Sequence, residues 1–182
     1  MYRILELPES AFRSVWTSVR PECSPHTPLT HRQFAIGGPH VLPKAMYGLV
    51  DLVSSIFESV GWTDVDKTQG IIEYWRYHDF HGSDRVSYPL DVHRDDHGVV
   101  SFCVYTAIVY GECTITDGGH LMIYSDDFTF RSRADIVDSI EPRASLPDHS
   151  RIVLLRGDVP HDVEIIRSAG VRECIVVQLR RA

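Results

Sequence analysis

Cysteine is scarce in this chain. Cys23, Cys103, Cys113 and Cys174 are the only four in 182 residues, and no two of them form a C-x-x-C pair. Cys103 and Cys174 sit in apolar, strand-like runs, where a reduced cysteine packs as a small hydrophobe. Reduced thiols and a cytoplasmic location are therefore expected. Basic charge is in deficit as well: 18 Lys and Arg stand against 25 Asp and Glu, a formal net charge of −7. This argues against a general affinity for nucleic acid, which needs a basic surface to neutralise phosphates. Long apolar runs are missing. The longest, Val99 to Tyr110, is broken by Ser101 and Thr106 and is too short to cross a bilayer. The N-terminal Met1-Tyr2-Arg3-Ile4-Leu5-Glu6 lacks the apolar stretch of a signal peptide. There is no internal repeat and no low-complexity segment, and composition excludes intrinsic disorder, collagen-like repeats and coiled coil.

What is present is an ordinary globular mixture, 43% hydrophobic and 24% charged. The length suits one domain, residues 1–182, able to bury a core without staples. Its first part, residues 1–70, reads as a helical buttress. Pro8-Glu9-Ser10 is a plausible helix start, and Ala11, Phe12, Val15, Trp16 and Val19 recur at helical spacing until Pro21. Residues 21–43 are rich in proline and read as an irregular connection. A second helix fits Lys44 to Val60. Met46, Leu49, Val50, Val53, Ile56, Phe57 and Val60 form its apolar face, and Gly61 follows.

From residue 71 onward the period changes to that of strands. Ile71–Phe80, Ser101–Tyr110, His120–Tyr124, Arg151–Leu155, Val163–Ile166 and Glu173–Leu179 are short, β-branched or aromatic runs separated by turn residues. The fold class is mainly β with N-terminal helices, and the core in residues 71–182 is a sandwich or barrel.

Ten histidines invite a search for ligands. In Asp91-Val92-His93-Arg94-Asp95, His93 and Asp95 point to the same side of an extended strand and can aim an imidazole and a carboxylate at one point. They would supply two members of a 2-His-1-carboxylate triad, which leaves metal positions open for cosubstrate and O2. Further on come the tight turn Gly118-Gly119-His120-Leu121, then His161 after the turn Gly157-Asp158-Val159-Pro160, and then Gly170-Val171-Arg172, eleven residues past His161.

This ordered set resembles the Fe(II)/2-oxoglutarate-dependent dioxygenases, most of all the prolyl 4-hydroxylase-like branch, over roughly Tyr74 to Leu179. The resemblance implies a double-stranded β-helix, a jelly-roll or cupin-like fold. It implies Fe(II) held by His93, Asp95 and His161, with 2-oxoglutarate and O2 as cosubstrates and ascorbate as an accessory reductant. Arg172 would take the distal carboxylate of 2-oxoglutarate through its planar fork, with a hydroxyl donor beside it. Tyr88 and Tyr105 are the candidates for that donor, and Tyr77 stays open. Arg167 is the competing cation. His120 is either a cavity residue or a surface histidine at a strand start. Asp95 favours hydroxylation over halogenation. The expected substrate is a prolyl residue of a peptide or protein. A free amino acid or small metabolite is the alternative, and a non-catalytic cupin-like binding module is the reading from another class. The segments Tyr77–Tyr88 and Ser125–Ser150 are the expected lids.

Overall fold

The computed structural model describes residues 1–8, 13, 16–20, 29–39, 41–77, 104–124, 136–140, 145–146, 149–164 and 166–182. The expectations for Tyr88, His93 and Asp95 lie outside the described residues, as do those for the Tyr77–Tyr88 segment beyond Tyr77 and for much of the Ser125–Ser150 segment.

The described strands are β1 (Tyr2–Pro8), β2 (Leu29–Ile36), β3 (Val65–Tyr77), β4 (Val104–Cys113), β5 (Leu121–Tyr124), β6 (Ile136–Ile140), β7 (Ser145–Leu146), β8 (His149–Arg156), β9 (His161–Val163) and β10 (Arg172–Arg181). They pair antiparallel into a large sheet of order β1-β8-β4-β10-β3-β2, with β7 beside β8, and a small sheet of order β6-β5-β9. This is a double-stranded β-helix of the jelly-roll, cupin-like kind. The central strands of the large sheet are buried on both faces, so they lack the polar alternation of a half-exposed sheet. Period 2 instead sorts their apolar residues between two cores. On the inner face Ile108, Tyr110, Val153, Leu155 and Cys174 meet Leu121, Ile123 and Ile140 of the small sheet. On the outer face Tyr105, Ala107, Val109, Ile152, Leu154, Ile175 and Val177 meet the helix Lys44–Ser59.

That helix follows the expected stripe. Met46, Leu49, Val50, Val53, Ile56 and Phe57 are buried. It ends at Gly61, whose φ of 87° is the left-handed conformation that a helix C-terminus favours. The Gly61 N–H donates to Glu58 O at 3.0 Å and the Trp62 N–H to Phe57 O at 2.9 Å. Trp62 then stacks on Phe57 and, at 4.7 Å between ring centroids, on Tyr105 of β4. The terminus thus delivers an aromatic wedge to the outer face.

The first 70 residues differ from the expected helical buttress. Residues 16–20 are helical, but β1 and β2 are strands. Both are edge strands of the large sheet, paired with β8 and β3 far along the chain. Their hydrogen bonds are non-local, and an exposed edge carries little apolar pattern. Arg32 and Gln33 are exposed in β2, and prolines precede it. Those prolines are what made residues 21–43 read as irregular.

Candidate functional site

Arg172 opens β10 and faces the interior between the two sheets. It is 3% exposed. A buried guanidinium needs partners. Its Nε–H donates to Gly119 O at 3.1 Å, Nη1 lies 3.6 Å from Cys174 Sγ, and the guanidinium carbon sits 5.5 Å above the centre of the Tyr110 ring. The Gly118-Gly119 turn is what brings that carbonyl close. Both glycines have left-handed φ, 83° and 74°. A Cβ on Gly119 would meet Ile115 Cδ1 at 2.5 Å and Arg172 Cδ at 3.2 Å. The two-glycine motif therefore has a local cause: it lets backbone, rather than a side chain, press against the arginine.

Tyr110 lies beneath that arginine. It is 2% exposed, and its hydroxyl makes no hydrogen bond among the described residues. Burial pushes its pKa up to about 12, against the opposing pull of the Arg172 guanidinium. At neutral pH the group is a phenol with a proton to give. A buried cation beside a buried hydroxyl that has no acceptor for its proton can bind an anion that accepts from both, and a carboxylate fits.

His161 opens β9, 4% exposed. It pairs across to Ile123, which packs in the inner core, and directly paired residues share a face. Its Nδ1 lies 2.9 Å from Val159 O. A carbonyl only accepts, so Nδ1 carries a proton, and in the neutral form of the ring the lone pair is on Nε2. That is the tautomer that binds a metal. Among the described residues no group of three His, Cys, Asp or Glu side chains could hold a metal. Of the expected triad, only His161 is described.

Tyr105 is a correction. The structure does not bring it to Arg172. It pairs with Leu179, whereas Arg172 pairs with Cys113 at the other end of β4. It also faces the opposite core, where its hydroxyl donates to Asp64 Oδ1 at 2.6 Å. The hydroxyl that does approach Arg172 belongs to Tyr110, five positions on in the same strand. An odd spacing puts the two tyrosines on opposite faces, a signal the sequence carried once the strand was recognised. Tyr77 pairs with Arg172 at the end of β3. Arg167 is 48% exposed and bonds Glu164 at 2.8 Å and Asp117 at 3.4 Å, on the surface. His120 is partly exposed, with Nδ1 2.8 Å from Glu164 Oε2. Cys113 and Cys174 are free thiols, and burial raises the pKa of both.

No protein-family model matches the sequence, and no curated protein matches it. Solved structures do match. A prolyl-4-hydroxylase from Pseudomonas putida is 16% identical, with a TM-score of 0.56 over 100% of this chain and 92% of that one. A prolyl hydroxylase from Trichoplax adhaerens, solved in complex with a peptide fragment of the hypoxia inducible factor oxygen degradation domain, is 16% identical, with a TM-score of 0.52 over 99% and 83%. A full-length protein of Neurospora crassa, solved in complex with alpha-KG, is 11% identical, with a TM-score of 0.57 over 99% and 74%. The chain shares the double-stranded β-helix fold of these structures.

Arg172 and Tyr110 fit a carboxylate, since the buried phenol has no acceptor for its proton among the described residues. His161 fits a metal, since its Nδ1 is engaged by the Val159 carbonyl and Nε2 is the atom left to coordinate when the ring is neutral. Both side chains project between the same two sheets. No helix is long and apolar enough to cross a membrane among the described residues.

Proposed function

We propose that this chain is an Fe(II)- and 2-oxoglutarate-dependent dioxygenase that hydroxylates a C–H bond of a prolyl residue in a peptide or protein. The observation that carries the reading is the Tyr110 hydroxyl, buried without a hydrogen bond beside the buried Arg172, on a fold shared with prolyl hydroxylases. The whole chain is read as one catalytic domain in a reducing, cytoplasmic compartment, consistent with the free thiols of Cys113 and Cys174.

In this reading Arg172 takes the distal carboxylate of 2-oxoglutarate, and Tyr110, rather than Tyr88 or Tyr105, gives it a second hydrogen bond. The carbonyl of Gly119 holds the Arg172 side chain in place. His161 offers Nε2 to the metal, and the Val159 carbonyl keeps its ring from turning. His93 and Asp95 supply the other two ligands. Fe(II) held there would supply activation of O2, for a reaction in which 2-oxoglutarate would leave as succinate and CO2 and the substrate C–H bond would gain one oxygen atom. Burial of Arg172, 3% exposed, keeps water from the arginine–carboxylate pair and so strengthens it. The peptide bound by the Trichoplax neighbour favours a peptide substrate over a free amino acid.

The test is an anaerobic titration of the purified protein with Fe(II) and 2-oxoglutarate, following the visible charge-transfer band of the chelate. The band is expected in the native protein and lost in His161→Ala. Proline-containing peptides are then screened by succinate release. A folded, iron-loaded protein that shows no band overturns the reading in favour of a cupin-like binding module.

A further inference from the structure

The pairing of β4 with β10 slips beside Arg172. Tyr110 stands opposite Cys174 and Cys113 opposite Arg172, so two residues, Gly111 and Glu112, share the place opposite Glu173. That is a β-bulge on β4. In an unbroken register the residue opposite Arg172 would be Glu112. Directly paired residues lie on one face, so its carboxylate would enter the inner face against the arginine. The bulge prevents this. It puts the Cys113 thiol in that place and leaves Glu112 outside, where Arg20 Nη2 and Arg76 Nη2 meet its Oε2 at 3.1 Å and 3.6 Å.

The bulge is held from behind by Glu173. This side chain is fully buried on the outer face. Its Oε2 accepts from the Glu112 backbone N–H at 3.2 Å, its Oε1 accepts from the Tyr74 hydroxyl at 2.5 Å, and Arg20 Nε lies 3.2 Å from Oε1. Gly111 is required at the crossing, since a Cβ there would lie 2.0 Å from the Trp16 ring and 2.8 Å from Glu173 Oε2.

We propose that Glu173 and Arg20 are positioning residues for carboxylate binding, which act by holding the Gly111–Glu112 bulge and so keeping the Glu112 carboxylate out of the Arg172 pocket. The inference rests on the reading of Arg172 as the 2-oxoglutarate arginine. It assigns a task to the helical segment at residues 16–20: its Trp16 and Arg20 brace the back of the strand whose front carries Tyr110. Coulomb attraction explains why the device is needed. An internal carboxylate facing Arg172 would compete with an external one at high effective concentration.

The test measures 2-oxoglutarate affinity in the Fe(II)-loaded, anaerobic full-length protein. Arg20→Gln is the first variant because Arg20 is 42% exposed, whereas Glu173 is fully buried. Glu173→Gln is the second. Each is expected to raise the Kd about tenfold, the scale on which outer partners orient a binding residue, with kcat at saturating 2-oxoglutarate little changed. Adding Glu112→Gln to either variant is expected to restore the native Kd to within about twofold, because the competing carboxylate is gone. Glu112→Gln alone should bind as the native protein does. If both single variants bind as the native protein does, the proposal is overturned. It is equally overturned if they bind weakly and Glu112→Gln restores nothing, since the loss is then structural. A native protein that binds no 2-oxoglutarate sinks the functional reading itself, a different failure from either of these.

Discussion

Strand β4 carries two tyrosines in opposite surroundings. Tyr105 lies on the helix side of the sheet, stacked on Trp62, with its hydroxyl given to Asp64 and Arg181 5.3 Å above its ring. Tyr110 lies on the inner side under Arg172, with its hydroxyl unsatisfied. Both are buried aromatic rings below an arginine. Only the satisfied one is complete as structure. The difference teaches how to separate a core tyrosine from a ligand-binding one: by whether the protein has already used its proton. Burying a polar group without a partner costs about 1–3 kcal/mol, and a fold retains such a cost where a ligand removes it.

The two arginines 172 and 167 give the sharpest test of this contrast. Arg172→Ala removes a buried, charged partner of the bound carboxylate. Its Kd for 2-oxoglutarate, measured by anaerobic titration, is expected to rise by roughly a hundredfold or more. Arg167→Ala removes a surface ion pair and should change the Kd by less than about twofold. If the larger loss fell on Arg167, the site would have to be moved to the surface.

The tyrosines themselves come next in size. Tyr110→Phe is expected to weaken 2-oxoglutarate binding by roughly ten- to a hundredfold, the worth of one hydrogen bond to a charged group. It should lower the melting temperature less than Tyr105→Phe does, because the Tyr110 hydroxyl has no acceptor for its proton to lose among the described residues. Tyr105→Phe should do the reverse. It breaks the 2.6 Å bond to Asp64 and so costs on the order of 1 kcal/mol of stability, while the Kd stays unchanged. Thermal unfolding and ligand titration on the same two proteins measure both halves. Equal behaviour of the two variants would dissolve the comparison.

How much of this was legible in the sequence follows from the range of the forces involved. The helix Lys44–Ser59 was readable because its stripe and its Gly61 terminus are local. Strands β4, β8 and β10 were readable because they are central and apolar. The edge strands β1 and β2 were not, since their pairing is made by residues far along the chain. At the site, Arg172, the Gly118-Gly119 turn and His161 were legible as an ordered motif. Tyr110 was not, because choosing between tyrosines of one strand requires knowing which face is which. The Gly111–Glu112 bulge was invisible for a related reason: it shows only in the register against β10.

The smallest expected effect lies on the outer side of the Gly118-Gly119 turn. There the Arg167 guanidinium, and after it His120, hold the Glu164 carboxyl below its usual range, against the effect of burial. A carboxyl whose folded pKa is depressed contributes stability above its unfolded value of about 4.3 and loses that contribution as pH falls through the folded value. Stability of the native protein should therefore decline below about pH 4.3 in part through Glu164. In Arg167→Gln that decline should shrink: the variant should be slightly less stable than the native protein at pH 7, by a small amount because partly exposed pairs are screened, and the two should converge in acid. Melting temperature followed from pH 7 down to about pH 3 reads it directly. A loss in Arg167→Gln as large as that in Tyr105→Phe would show that the outer pair bears on the fold as heavily as the buried one, and the contrast between satisfied core and exposed rim would fail at this turn.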